Sequence, residues 1–133
     1  ADTIATAIKI GNPISFVKSV RGLKALKGVV ETVNDHEILE AKALVDGAGI
    51  GAEPASCATL AGLRKLVELG VIGSNETVAG VLTGHVLKDP GVVVDYHIKG
   101  AVGEMVAGRP NRPIKVANSL EAIEAALSNE ADS

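Results

Sequence analysis

The feature that most constrains the fold is a regular alternation of short, β-branched apolar runs with longer segments of helical periodicity. The strand-like runs cover residues 3–10, 29–33, 50–53, 78–82, 92–95 and 114–117. Between them, apolar residues recur every three or four positions, which is the period of an amphipathic helix. This alternation predicts an α/β fold: a three-layer αβα arrangement with a mostly parallel, Rossmann-like sheet. The 133 residues suffice for a single domain spanning 1–133.

Several helix boundaries are marked by capping signals. Asn34 followed by Glu37 predicts a capping box, and Gly28 is placed to end a helix over 14–26. Asn118 is the predicted cap of the last helix, which extends to residue 127. The buried stripe predicted for the helix that follows Asn34 consists of Ile38, Leu39, Ala41 and Leu44.

Charge and aromatic content narrow the possible partners. Sixteen acidic against 13 basic residues give a net charge of −3, and the chain has one Phe, one Tyr and no Trp. Neither a basic face nor base-stacking aromatics are present, which predicts no nucleic-acid partner. No run of about 18 apolar residues occurs, so no membrane span is predicted. The single cysteine, Cys57, excludes a disulfide within the chain and predicts a reducing, cytoplasmic compartment.

Two loops at predicted strand ends stand out as candidate binding elements, because ligands of α/β sheets dock beyond the carboxyl ends of the strands. Glu53 follows one buried run, where a carboxylate needs a partner or solvent. The competing interpretation is a carboxylate that simply stabilises a helix amino terminus. Thr83 ends another buried run, before Gly84. Its alternative is a turn threonine that bonds local backbone groups.

Other polar residues receive structural interpretations. Ser56 is interpreted as a helix cap rather than a catalytic hydroxyl, and Cys57 as a buried, inert thiol. His85 has no nucleophile or carboxylate beside it, which favours a structural role. His36 and His97 are isolated in the sequence, and no metal site is predicted.

Three stretches, taken together and in this order, resemble the carboxyl-terminal portion of the threonine synthase family. They are residues 5–13 (ATAIKIGNP), 53–63 (EPASCATLAGL) and 81–89 (VLTGHVLKD). This family comprises pyridoxal-phosphate (PLP) enzymes of fold type II, related to the tryptophan synthase β chain. The resemblance covers most of residues 3–127 and departs at Val86, where the family commonly has glycine.

The resemblance implies a PLP-dependent lyase that converts O-phosphohomoserine and water to threonine and phosphate. It places Thr83 at the pyridine nitrogen of PLP, with Gly84, Glu53 and Ala7 beside the cofactor. The family's Schiff-base lysine motif and glycine-rich phosphate loop are not found in this sequence. The chain is therefore predicted to be part of a longer enzyme, to contain no catalytic residue and to be inactive alone.

Two other functions stay open from the sequence. A related PLP-dependent threonine/serine dehydratase would use the same neutral group at the pyridine nitrogen. A stand-alone, non-catalytic α/β binding or assembly module is favoured if the natural product begins at Ala1. The predicted partners are the missing amino-terminal half of the enzyme, a small amino-acid substrate and, for the full-length protein, a second copy forming a homodimer.

Overall fold

The most extensive packing between helices joins α2 (Asp35–Gly47) to α3 (Pro54–Glu68). The computed structural model describes residues 2–131, with side chains through Ser128; Ala1 lies outside the described residues. The helices are α1 (Phe16–Leu26), α2 (Asp35–Gly47), α3 (Pro54–Glu68), α4 (Pro90–Val93) and α5 (Leu120–Ala131). A π-helical segment (Val94–Lys99) continues α4, and 3-10 turns occupy Thr6–Ile8 and Val86–Lys88. Within residues 2–131, no helix is long and apolar enough to cross a bilayer.

Helix α2 begins with the capping box that the sequence predicts. The Glu37 amide donates to Asn34 Oδ1 at 2.9 Å, and the Asn34 amide donates to Glu37 Oε2 at 2.7 Å. Three of the four residues in its predicted buried stripe are buried, whereas Leu44 is exposed. Leu44 lies four positions after Glu40 and therefore shares the polar face of the helix.

The core consists of two apolar clusters on opposite sides of α2. One combines α2 with α3 and the segment before it, through Ala5, Ile38, Ala41, Val45, Ala52, Cys57 and Ala61. The other combines α2 with the segment from α4 to the hairpin, through Leu39, Ala43, Val92, Tyr96 and Val102. Because both sides of α2 are covered, this helix fixes the positions of the segments that flank it.

The strands differ from the sequence prediction. In residues 2–131, the ladder is a two-stranded antiparallel hairpin of β1 (Ala101–Val102) and β2 (Met105–Val106). Residues 92–95, predicted as a strand, are helical, and the runs 29–33, 78–82 and 114–117 pair with no neighbouring strand. Val30 and Val81 are 70% and 69% exposed, so these runs lack the packed neighbours that a buried strand requires. The chain is thus mixed α/β, and the three-layer parallel sheet stays a prediction.

Two helix ends also differ from the predictions by one residue. Lys27, not Gly28, takes the left-handed conformation at the end of α1, with φ at 52°. The Gly28 amide then donates to the Leu23 carbonyl at 2.7 Å, and a Cβ on Gly28 would approach the Leu23 side chain to 2.8 Å. At α5, the hydroxyl of Ser119 rather than Asn118 accepts a first-turn amide at 3.2 Å.

Candidate functional site

The two loops singled out in the sequence meet in the structure. The first loop is residues 53–56 and the second loop is residues 83–85. Ala52 and His85 form an isolated antiparallel bridge. On one side of it the Glu53 amide donates to the Gly84 carbonyl at 3.0 Å. On the other side the Val86 amide donates to the Gly51 carbonyl at 3.2 Å. Residues about 30 positions apart are therefore held side by side by backbone hydrogen bonds.

The buried hydroxyl of Ser56 joins the first turn of α3 to the second loop. Ser56 Oγ accepts the Gly84 amide at 2.8 Å and lies 3.2 Å from Thr83 Oγ1. The interpretation of Ser56 as a helix cap is wrong, because the cap position belongs to Glu53. Ser56 was missed as a site residue, since its partners lie 27 and 28 positions along the chain.

Glu53 occupies the cap position of α3, but its side chain makes no capping hydrogen bond. Its carboxylate turns instead toward the second loop and is 5% exposed. Among the described residues, the ion-pair partner of this carboxylate is the Lys88 ammonium, 3.9 Å from Oε1, which is beyond hydrogen-bond distance. A carboxylate this buried ordinarily has hydrogen-bonding partners. Because no buried side-chain oxygen or nitrogen in the described part of the chain lacks a hydrogen-bond partner, the Glu53 oxygens retain some contact with solvent.

Gly84 leaves the space into which the Glu53 side chain fits. An ideal Cβ added to Gly84 would lie 2.8 Å from Glu53 Cγ and would overlap the carboxylate itself. Gly84 is buried, while the adjacent Thr83 is exposed. The site therefore combines the exposed residue Thr83 with the buried hydroxyl of Ser56 and the buried carboxylate of Glu53.

Ala7 lies outside this group of residues. It is exposed in the 3-10 turn Thr6–Ile8 and makes no hydrogen bond to Glu53, Thr83 or Gly84. Its turn is connected to the second loop through the next segment, because the Thr6 hydroxyl donates to Asp89 Oδ2 at 2.8 Å. The structure thus brings together three of the four predicted cofactor contacts.

A network of charged and polar side chains contacts the backbone immediately before the first loop. The Lys42 ammonium donates to the Ala52 carbonyl at 2.7 Å and lies 2.9 Å from Asp46 Oδ2. His97 Nε2 lies 3.1 Å from the same oxygen. The Asn111 amide donates to His97 Nδ1 at 2.9 Å, so in the neutral ring the proton is on Nε2 and is donated to Asp46. His97 is isolated in the sequence but not in the fold.

The interpretation of Cys57 as a buried thiol is confirmed. Its side chain is fully buried, and burial raises the pKa of the thiol from 9.0 to about 11. Its closest polar contact is the Ala52 carbonyl, 3.9 Å from Sγ. His85 is exposed, and its Nδ1 accepts the Leu87 amide at 3.2 Å, which agrees with a role in the turn.

Comparison with curated proteins identifies several threonine synthases as relatives of this chain. The chain is 54% identical over 95 residues to the threonine synthase of Methanosarcina acetivorans, covering 71% of this chain and 24% of that protein. It is 50% identical over 90 residues to the threonine synthase of Halalkalibacterium halodurans, covering 67% and 25%. It is 40% identical over 114 residues to Arabidopsis thaliana threonine synthase 2, chloroplastic, covering 86% and 22%.

These matches extend over most of this chain but only about a quarter of each relative's length. No protein-family model matches the chain. The resemblance noted in its three motifs is nevertheless confirmed by relatives from three organisms. Over the matched residues, the chain is related to the threonine synthases.

Proposed function

We propose that this chain is the carboxyl-terminal part of a threonine synthase, a PLP-dependent lyase that converts O-phosphohomoserine and water to threonine and phosphate. The proposal is supported by the similarity to threonine synthases, each several times longer than the matched segment. The observation that most supports the site is that Glu53, Thr83 and Gly84 lie together in the fold. These are three of the residues that the resemblance assigns to the cofactor.

The residues present fit one end of a pyridine ring. Thr83 offers an exposed hydroxyl, which can hydrogen-bond to a ring nitrogen. The absence of a side chain at Gly84 makes room for the Glu53 side chain, which places a carboxylate next to this loop. When bound, PLP supplies an electron sink for carbanions. The groups that would bind its phosphate and attach it covalently belong, in this proposal, to the remainder of the enzyme.

This chain's own residues would hold and orient the ring. A neutral Thr83 hydroxyl, unlike a carboxylate, does not favour a protonated ring nitrogen, which suits elimination and replacement chemistry. The Ala52–His85 bridge and the Lys42 contact to the Ala52 carbonyl keep the two loops in register. Glu53 would border the ring or order the substrate pocket.

The exposed apolar runs support the proposed partner, the amino-terminal half of the same enzyme. Val30, Val81 and Ile114 are more than half exposed, and all of them lie in runs predicted as strands. Apolar β-branched surface of this kind is normally covered in a folded protein. In the proposal, these runs enter a sheet whose other strands come from the rest of the enzyme.

The test uses the full-length protein that carries this chain. Thr83→Val removes the hydroxyl and keeps the shape, whereas Thr83→Ser retains the hydroxyl. We expect Thr83→Val to lower phosphate release from O-phosphohomoserine by at least tenfold, in proportion to a hydrogen bond worth about 1.5 kcal/mol or more. Thr83→Ser should retain most of the activity. Equal activities of Thr83→Val and wild type, with PLP still bound, would remove Thr83 from the site.

A further inference from the structure

The hydroxyl of Ser56 lies between the backbone of Gly84 and the exposed hydroxyl of Thr83. Ser56 is 1% exposed, so water does not compete for its hydrogen bonds. Its oxygen accepts the Gly84 amide at 2.8 Å, and Thr83 Oγ1 and the Gly84 carbonyl lie 3.2 Å and 3.4 Å away. This is a side-chain contact between α3 and the exposed threonine hydroxyl of the candidate site.

The direction of the hydrogen bond follows from the number of available protons. Ser56 has one hydroxyl proton and two possible acceptors for it. The Gly84 carbonyl already accepts the Glu53 amide at 3.0 Å, and Thr83 Oγ1 is the nearer acceptor. The Ser56 proton is therefore best donated to Thr83. The proton of Thr83 is then free to point outward, toward whatever binds at the surface.

We propose that Ser56 is a positioning residue that holds the Thr83 hydroxyl as a hydrogen-bond donor, so that the site selects a ligand atom with a free lone pair. This inference rests on the proposed function, in which that atom is an unprotonated pyridine nitrogen. Without Ser56, Thr83 can rotate and accept a hydrogen bond as readily as it donates one. The site then loses its preference for the unprotonated ring.

The experiment compares Ser56→Ala with a matched hydroxyl deletion, Thr59→Val, in the full-length protein. Thr59 also lies on α3 and also bonds to the second loop region, through the Val81 carbonyl at 3.3 Å, but it does not bond to Thr83. The readout is the ¹⁵N NMR signal of PLP labelled at its ring nitrogen, followed as a function of pH. A purely structural role of Ser56 would not move this signal.

We expect Ser56→Ala to let the ring nitrogen take up a proton at a higher pH than in wild type. Phosphate release should fall roughly fivefold, as expected for a hydrogen bond of ordinary strength. Thr59→Val should leave the ring signal unchanged. An unchanged ring signal in Ser56→Ala overturns the inference.

A failure of the inference is distinguishable from a failure of the proposed function. If Thr83→Val alters the ring signal and Ser56→Ala does not, only the role of Ser56 is wrong. If neither variant alters it, the proposed site itself is wrong.

A second measurement needs no cofactor and covers the case in which Ser56→Ala does not fold. In the full-length protein without PLP, Ser56→Cys keeps the volume but replaces the hydroxyl by a weak thiol donor and a weak acceptor. We expect the Gly84 amide to exchange its hydrogen faster, because the Ser56 oxygen that accepts it is lost. Unchanged exchange of the Gly84 amide in Ser56→Cys would contradict the inference.

Discussion

Replacement of Lys42 by methionine is the sharpest test of the network beneath the first loop. The Lys42 side chain is 2% exposed and that of Asp46 is 13% exposed, so their ion pair is largely removed from water. Within the part of the chain that the structure describes, the Lys42 ammonium contacts Asp46 and the Ala52 carbonyl. Lys42→Met keeps the length of the side chain and removes the charge.

The expected cost follows from what the substitution leaves behind. Among the described residues, Asp46 keeps the His97 hydrogen bond, and the Ala52 carbonyl loses the ammonium donor. Removing one partner of a buried ion pair typically costs about 3–5 kcal/mol, because the remaining charge is buried without compensation. Adding Asp46→Asn removes that charge, and the remaining loss should fall to about 1–3 kcal/mol, the cost of an unpaired carbonyl.

The assay is urea unfolding followed by circular dichroism, with Lys65→Met as the matched control. Lys65 makes the same two kinds of contact, to the Thr32 carbonyl at 2.7 Å and to Glu31 Oε1 at 3.2 Å. The two side chains of this ion pair are 33% and 25% exposed, so its loss should lower the free energy of unfolding less than the loss of the buried pair. The reasoning is refuted if Lys42→Met costs no more than Lys65→Met, or if the double variant is less stable than Lys42→Met alone.

Three further predictions concern stability and reactivity. Burial raises the pKa of Cys57 to about 11, so at pH 8 the folded chain should resist iodoacetamide and react only once urea unfolds it; mass spectrometry detects the adduct. Gly84→Ala should lower the midpoint of thermal unfolding, because the new methyl group overlaps the Glu53 carboxylate, and Glu53→Ala should restore much of the loss. Asn34→Ala should cost about 1 kcal/mol in urea unfolding, whereas Ser15→Ala, at a cap position without a side-chain hydrogen bond, should be neutral.

Local signals in the sequence predicted local structure well. The capping box of Asn34 and Glu37 joins residues within one helical turn of each other. Its hydrogen bonds therefore form without tertiary contacts. Gly28 shows the limit of such signals, since Lys27 took the left-handed position and the glycine was needed for space beside Leu23.

The local sequence pattern was not enough to predict the strands, because a strand is stable only when a neighbouring strand pairs with it. Residues 78–82 have the composition of a strand buried on both faces, yet Val81 is 69% exposed. Residues 92–95 form a helix because Val92 and Tyr96, four positions apart, both face the second apolar cluster. This helical spacing is visible only when Tyr96 is included, and the predicted strand stopped at residue 95.

Site residues became visible only through contacts between distant parts of the chain. Glu53 and Thr83 could be selected because each follows an apolar run, and their loops do meet. Ser56 and Lys42 gave no such signal. The role of Ser56 depends on a partner 27 positions away, and the network of Lys42 and Asp46 is completed by His97, 51 positions after Asp46.

The most direct test of the central claim is product analysis with the full-length protein that carries this chain, supplied with PLP and O-phosphohomoserine. A threonine synthase releases threonine and phosphate in equal amounts, and that is the result we expect. Threonine or serine consumed to a 2-oxo acid and ammonia, with no phosphate released from O-phosphohomoserine, would identify a dehydratase instead. Absence of any turnover by a folded, PLP-loaded protein would contradict the enzymatic assignment altogether.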